Sequence, residues 1–150
     1  MKLIVDANVL FSFFKKDSTS RELILDPELK YNLELFAPNL ILDEVRIHKN
    51  DICSKFSLNS KDFDVMFSSI ELFITIVNKE TFEKSFPMAK EALSENINDV
   101  PYAALSFWFK ERGNEISVWS NDKGLKAMEK SGVRVFSTRE LVKFLSTIRP

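Results

Sequence analysis

The chain has 150 residues, 45% hydrophobic and 29% charged, with 3 glycines and 5 prolines, which suits one folding unit over residues 1–150 and excludes a disordered or low-complexity segment. Its 21 Lys and Arg against 22 Asp and Glu leave a formal net charge of −1, so bulk charge cannot hold nucleic acid and only local cationic patches could. A single cysteine, Cys53, and a single histidine, His48, exclude an internal disulfide and a Cys/His zinc cluster and point to a reducing compartment.

Along the chain, Leu3-Ile4-Val5 is a continuous apolar run, the pattern of a short strand covered on both faces of a parallel sheet, and it ends at Asp6. Asp6 and Asn8 break the N-terminal run before it is long enough to span a bilayer, and no signal-peptide cleavage pattern follows. A cytoplasmic protein without a membrane segment is expected. Phe11 to Lys16 reads as a short helix, and Ser18 or Thr19 can cap a second through Leu29, with Glu22 three residues after Thr19. Leu33 to Phe36 is a weak strand. After Pro38, Asn39 can cap a helix to about Lys49. Ser57 to Ser69 reads as a helix with Phe63, Met66, Phe67 and Ile70 on one side, and Leu72 to Val77 has the β-branched and aromatic content of a buried strand. Thr81 to Leu93 reads as a helix kinked or divided at Pro87. Val100, Ala103, Ala104, Phe107 and Trp108 have helical spacing up to Arg112, and Gly113 closes that helix. Ile116 to Ser120 and Val133 to Ser137 read as strands, followed by helices over Asp122 to Lys130 and Thr138 to Ile148.

Strands alternating with helices predict an α/β/α layer sandwich with a mostly parallel central sheet. Right-handed crossovers then bring Asp6 and Asn121-Asp122 to one edge of that sheet, the carboxyl edge where sites form in open α/β folds. Asp6 closes the first strand, Asp99 opens the Val100 helix, and Asp122 follows the fourth strand. Glu44 shares a helix face with Ile41, Val45 and His48. Asp99 and Asp122 could each be ordinary helix caps. Together, however, the four carboxylates would repel one another unless protonated or neutralised by cations. Oxygen-only ligands favour Mg2+ or Mn2+, ions that keep waters and meet phosphates, and this suits attack of an activated water on a phosphodiester.

The segments Val5 to Phe11, Pro38 to Val45, Asn98 to Leu105 and Trp119 to Leu125, in this order over nearly the whole chain, resemble the PIN-domain ribonucleases, which include the toxins of VapBC toxin–antitoxin pairs. The resemblance implies a five-stranded sheet of order 3-2-1-4-5, an acidic quartet of Asp6, Glu44, Asp99 and Asp122 binding Mg2+ or Mn2+, and RNA as substrate. By the same resemblance Asn8, Ser120 and Asn121 would orient carboxylates or water. The stretch Asn96-Ile97-Asn98-Asp99 carries one acid where the family motif is richer, which leaves the number of metals open. A VapC-like protein would form a homodimer and pair with a small antitoxin whose tail enters the acidic site.

Lys15 and Lys16 follow the first acid, Arg46, His48 and Lys49 the second, and Lys123 and Lys126 the fourth, so a phosphate backbone could be held around an acidic centre. Two other readings compete with a nuclease. One is a PIN-fold RNA-binding or regulatory module without turnover. The other is an aspartyl-phosphate chemistry at Asp6. Haloacid dehalogenase-type phosphatases, though, need a second aspartate where this chain has Asn8, and receiver domains need an acidic pair and a late lysine.

Overall fold

Five short strands form one all-parallel sheet in the computed structural model, which describes residues 1–26, 28–29, 32–94 and 96–148. They are β1 (Lys2–Val5), β2 (Glu34–Pro38), β3 (Ile74–Val77), β4 (Ser117–Trp119) and β5 (Arg134–Phe136), in the spatial order β3-β2-β1-β4-β5. This is the expected order. β1 lies at the centre, with Leu3, Ile4 and Val5 fully buried, because an uninterrupted apolar run is stable only where helices cover both faces of the sheet.

The helix α8 (Val100–Glu111) crosses the middle of the sheet against β1, β2 and β4. Ala103 and Ala104 bring its backbone close to the strands, and Tyr102, Leu105 and Phe107 fill the flanking space. Arg112 caps it, and Gly113 takes the left-handed conformation (φ +77°) that glycine adopts without steric cost. On the other side of the chain order, α1 (Ala7–Phe13) packs on α2 (Thr19–Leu25) and on α3 (Leu40–Ile47). The ring of Phe14 stacks on Phe63 at 4.8 Å, fastening this cluster to α5 (Ser60–Phe73). The remaining helices are α4 (Lys49–Phe56), α6 (Lys79–Phe82), α7 (Phe86–Leu93) and α9 (Thr138–Ile148). No helix among the described residues is long and apolar enough to cross a membrane.

Several boundaries differ from the sequence reading. The first helix starts at Ala7, not Phe11, because Asp6 caps it, its Oδ1 accepting the Ala7 N–H. Ser18 caps α2 by accepting the Arg21 N–H at 3.1 Å. That helix ends at Leu25; residue 27 of its expected extension to Leu29 lies outside the described residues. Asn39 stands at the cap position of α3 with helical backbone angles and makes no side-chain cap bond. The polar segment Lys49–Phe56 is a separate helix, ended at Ser57 in the left-handed region. Leu72 and Phe73 finish α5 instead of opening β3. Pro87 stands in the first turn of α7, where its missing N–H costs nothing, and the Thr81 to Leu93 segment is divided there, one of the two outcomes expected. Lys123–Ser131 forms 3-10 turns rather than an α-helix, with Gly132 (φ +82°) ending them.

Candidate active site

Strand register places the first two site residues. Val5 pairs with Trp119 and the Asp6 N–H reaches the Trp119 carbonyl at 3.0 Å, so Asp6 and Ser120 leave the sheet side by side at its carboxyl edge. Ser120 is fixed from the other flank by its N–H to the Phe136 carbonyl at 2.9 Å. Its hydroxyl donates to Asp6 Oδ2 at 2.7 Å and accepts the Asp122 N–H at 3.0 Å. Asp6 is almost fully buried. Desolvation raises its carboxyl pKa, the bonds from Ser120 and Ala7 oppose that rise, and the charge of Asp122 adds to it.

The other acids arrive from different elements. Asp122 caps the 3-10 turns that follow β4, its Oδ1 accepting the Gly124 N–H at 2.9 Å. Asp99 ends the 3-10 turn Ile97–Asp99 with helical backbone angles and makes no cap bond, so the cap reading holds for Asp122 and not for Asp99. Burial pushes the Asp99 carboxyl up to about 6, with repulsion from Asp122, Asp6 and Glu44 and a hydrogen bond shared with Asp122 acting in the same direction. Glu44, in mid-α3, accepts a bond from the Tyr102 hydroxyl at 3.3 Å. Its carboxyl is raised by burial and by Asp6, against the lowering effects of Tyr102 and His48.

All four acids line one cleft of about 480 Å³, together with Asn8, Phe11, His48, Asn98 and Tyr102. Larger hollows lie elsewhere, one of about 640 Å³ beside Lys16, Arg21 and Asp62 and one of about 660 Å³ around Lys2, Glu34 and Arg134. The acid-lined cleft stands apart by its chemistry, not its size. Asp6, Glu44 and Asp99 each feel the charge of another acid of the set, as expected for a cluster that cations would relieve. Among the described residues, no group of three or more Asp, Glu, His or Cys stands close enough together to hold a metal ion as placed. Four hard carboxylate donors lining one cleft are nonetheless the ligand type that Mg2+ and Mn2+ take, ions that keep several of their own waters.

The remaining sequence-selected residues divide by location. Asn8 and His48 are exposed in the cleft; the His48 ring meets the Phe11 ring edge-on at 5.3 Å and its Nδ1 lies 3.6 Å from Asp51. Lys49 is paired with Asp64 at 2.9 Å, and Arg46 lies over the Phe67 ring at 5.1 Å and 4.0 Å from Asp43. Lys15, Lys16 and Lys123 are exposed and have no ion pair among the described residues. Lys126 is bound by Glu140, Glu129 and the Val135 carbonyl. Asn121 accepts the Thr138 N–H at 2.8 Å and donates to its Oγ1 at 3.0 Å, tying the loop after β4 to the start of α9.

Two contributors escaped the sequence reading. Tyr102 reads as one more apolar residue of α8, and its contact with Glu44 bridges 58 positions of sequence. Gly124 packs where a Cβ would stand 2.9 Å from Asn96 Nδ2 and 3.2 Å from Asp99 Oδ2, so its lack of a side chain leaves room for the Asp99 carboxylate. A glycine two residues after an acid was the available signal.

The molecule is thus an α/β protein with an acidic cleft at the carboxyl edge of a parallel sheet. The sequence profile of the PIN domain matches residues 4–146, and the chain belongs to the PIN-domain family. PIN domains are generally nucleases that use divalent metal ions. Among solved structures the fold is similar to the crystal structure of VapBC2 from Rickettsia felis bound to a DNA fragment from their promoter. The TM-score is 0.66 at 12% sequence identity, over 91% of this chain and 98% of that one. A search of the curated proteins finds no match.

Proposed function

We propose that the chain is a metal-dependent endoribonuclease that hydrolyses RNA phosphodiesters at the acidic cleft. The observation that carries this reading is the convergence of Asp6, Glu44, Asp99 and Asp122, from four separate segments, on one cleft. In this reading Asp6, Asp99 and Asp122 are the principal ligands of Mg2+ or Mn2+, and Glu44 is a further ligand or the group that orients the attacking water. When bound, the ion supplies a nucleophilic water at neutral pH and charge stabilisation for the leaving oxygen. The chain's own residues do the rest. Ser120 fixes the rotamer of Asp6 and the backbone of Asp122 with one hydroxyl. Asn8 presents an amide at the cleft mouth to water or a phosphate oxygen, and Asn121 braces the loop carrying Asp122 against α9. Lys15, Lys16, Arg46, His48, Lys49 and Lys123 hold the phosphate backbone around the anionic centre.

The test is cleavage of RNA with Mg2+ or Mn2+ by the wild type, Asp6→Asn and Asp99→Asn. Loss of cleavage in both variants supports the reading, and undiminished cleavage by both overturns it. One observation favours a second reading, a PIN-fold RNA-binding or regulatory module without turnover: among the described residues, no group of three or more Asp, Glu, His or Cys stands close enough together to hold a metal ion as placed. Undiminished RNA affinity in EDTA, with no divalent-ion binding by calorimetry, would decide for that module.

We further propose a toxin role for the nuclease in a cytoplasmic toxin–antitoxin pair. A small antitoxin would place its tail in the cleft, and the chain would assemble as a homodimer. Support comes from the fold shared with VapBC2. A neighbouring reading frame for a short DNA-binding protein that copurifies with the chain is the expected finding.

A further inference from the structure

We infer that Tyr102 is a positioning residue that presents Glu44 to the cleft through a single carboxylate oxygen, an inference that rests on the metal-dependent reading above. Tyr102 is 1% exposed and belongs to the first turn of α8, whose neighbouring buried side chains (Val100, Ala103, Ala104, Leu105) are all apolar. Packing there needs only a phenyl ring. The hydroxyl adds a desolvation cost that must be met by a partner. The bond it makes is to Glu44 Oε2, on a different helix and on the wall of the acid-lined cleft.

The geometry constrains Glu44 in a specific way. Glutamate in mid-helix has three rotatable bonds and no backbone donor within easy reach, so it would sample several rotamers across the cleft mouth. A phenol anchored in the core removes that freedom. It occupies Oε2, and among the described residues Oε1 has no hydrogen-bond partner. One oxygen is held and the other is left for a water or an ion. Tyr102 stands three residues after Asp99, so the ring that meets Glu44 of α3 springs from the turn that directly follows the Asp99 acid.

The experiment uses the full chain as wild type, Tyr102→Phe, Glu44→Gln and the double variant. Each is first checked by circular dichroism and melting, then titrated with Mn2+ by electron paramagnetic resonance and assayed for RNA cleavage. Expected are a loss of Mn2+ affinity of about 10-fold or more in Tyr102→Phe, a lowered kcat with KM for RNA little changed, and no further loss when Tyr102→Phe is added to Glu44→Gln. Mn2+ affinity equal to wild type in Tyr102→Phe overturns the inference. So does a Tyr102→Phe loss that persists in full on the Glu44→Gln background. A wild type that binds no Mn2+ and cleaves no RNA removes the metal reading itself, and this inference with it.

If Tyr102→Phe fails to fold, ring-labelled tyrosine gives the answer without that variant. The chain has 2 tyrosines, so Tyr31→Phe assigns the spectrum. A Tyr102 ring signal that shifts with Mg2+ in the wild type and not in Glu44→Gln supports the inference, and an unmoved signal in the wild type overturns it.

Discussion

Ser120 and Asp6 are joined by a 2.7 Å hydrogen bond across the two central strands, and the same Ser120 oxygen accepts the backbone N–H of Asp122 at 3.0 Å. One hydroxyl therefore sets two acids of the cleft. Ser120→Ala removes the only side-chain donor, among the described residues, to a nearly fully buried carboxylate. A loss of about 1–3 kcal/mol in stability at neutral pH is expected, together with a 10- to 100-fold loss of RNA cleavage. Urea unfolding and an initial-rate assay check the two parts separately.

Asp99 carries the largest of the pH effects in the cleft, with the raised carboxyls of Asp6 and Glu44 acting in the same sense. Its carboxyl stands at about 6 in the fold against an ordinary value of 3.8, so between these values the native state holds the proton more tightly than the unfolded chain does. The favourable contribution is complete below 3.8 and is lost as pH rises through about 6. Without divalent ions, the melting temperature should fall between pH 5 and pH 7, and Asp99→Asn should flatten that fall and melt higher than the wild type at pH 7. Glu140, held low by Lys126, acts in the opposite sense but only below its ordinary 4.5. Calorimetric scans of both proteins in EDTA test this. Adding Mg2+ at pH 7 should stabilise the wild type and leave Asp99→Asn nearly unchanged.

Gly124 gives a substitution whose effect is confined to the site. Its backbone does not require a positive φ, so alanine is tolerated by the chain itself. The added methyl would instead push on Asn96, which is exposed and free to swing, and on the Asp99 carboxylate. Gly124→Ala should melt close to wild type while losing about 10-fold in cleavage, a magnitude ordinary for displacing the surroundings of metal-binding groups. Gly124→Val should lose more. Equal activity in all three proteins would show that Asp99 accommodates the change.

The cations proposed to hold RNA are unequal. Lys123 has no ion pair among the described residues and follows Asp122 directly, whereas Lys49 already holds Asp64 at 2.9 Å. Lys123→Ala should weaken RNA binding across sequences and reduce the magnitude of the salt slope by about 1. Lys49→Ala should change it less. Fluorescence anisotropy over a salt series reads both.

Much of this fold can be read from the chain because strands buried on both sides announce themselves. Leu3 to Val5 and the late strand–helix repeats are apolar runs punctuated by acids, glycines and caps, and they led directly to a parallel sheet with acids at its carboxyl edge. The misplaced boundaries have local causes. Lys49–Phe56 presents Lys, Asn and Asp in its first turn and buries only Ile52, so its periodicity is faint, and its end is set by a serine in a conformation usually read as glycine's. The run Leu72 to Val77 looks uniform, yet Leu72 is 73% exposed because α5 continues to the very start of β3. In the site, Asp6, Asp99 and Asp122 were legible as punctuation between elements and topology brought Asp6 and Asp122 to one edge, whereas Glu44, inside a helix, joined them through the family resemblance. The partner of Tyr102 was not legible, since a hydroxyl on an apolar helix carries no sign of which carboxylate it will meet. Nor was the engagement of Lys49 and Arg46 by Asp64, Asp43 and Phe67, which depends on side-chain packing between helices.

The placement of β1 between β2 and β4 orders the birth of the cleft during synthesis. One flank of β1 can zip as soon as residues 34–38 have left the ribosome, but the other waits for residues 117–119. Ser120 and Asp122, which complete the acid cluster, emerge immediately after that last pairing. A nascent chain stalled before that point carries Asp6, Glu44 and Asp99 without the Ser120 hydroxyl that holds Asp6. A chain cut before residue 117 therefore keeps the β1–β2 pairing and loses the β4 flank that brings Ser120 to Asp6.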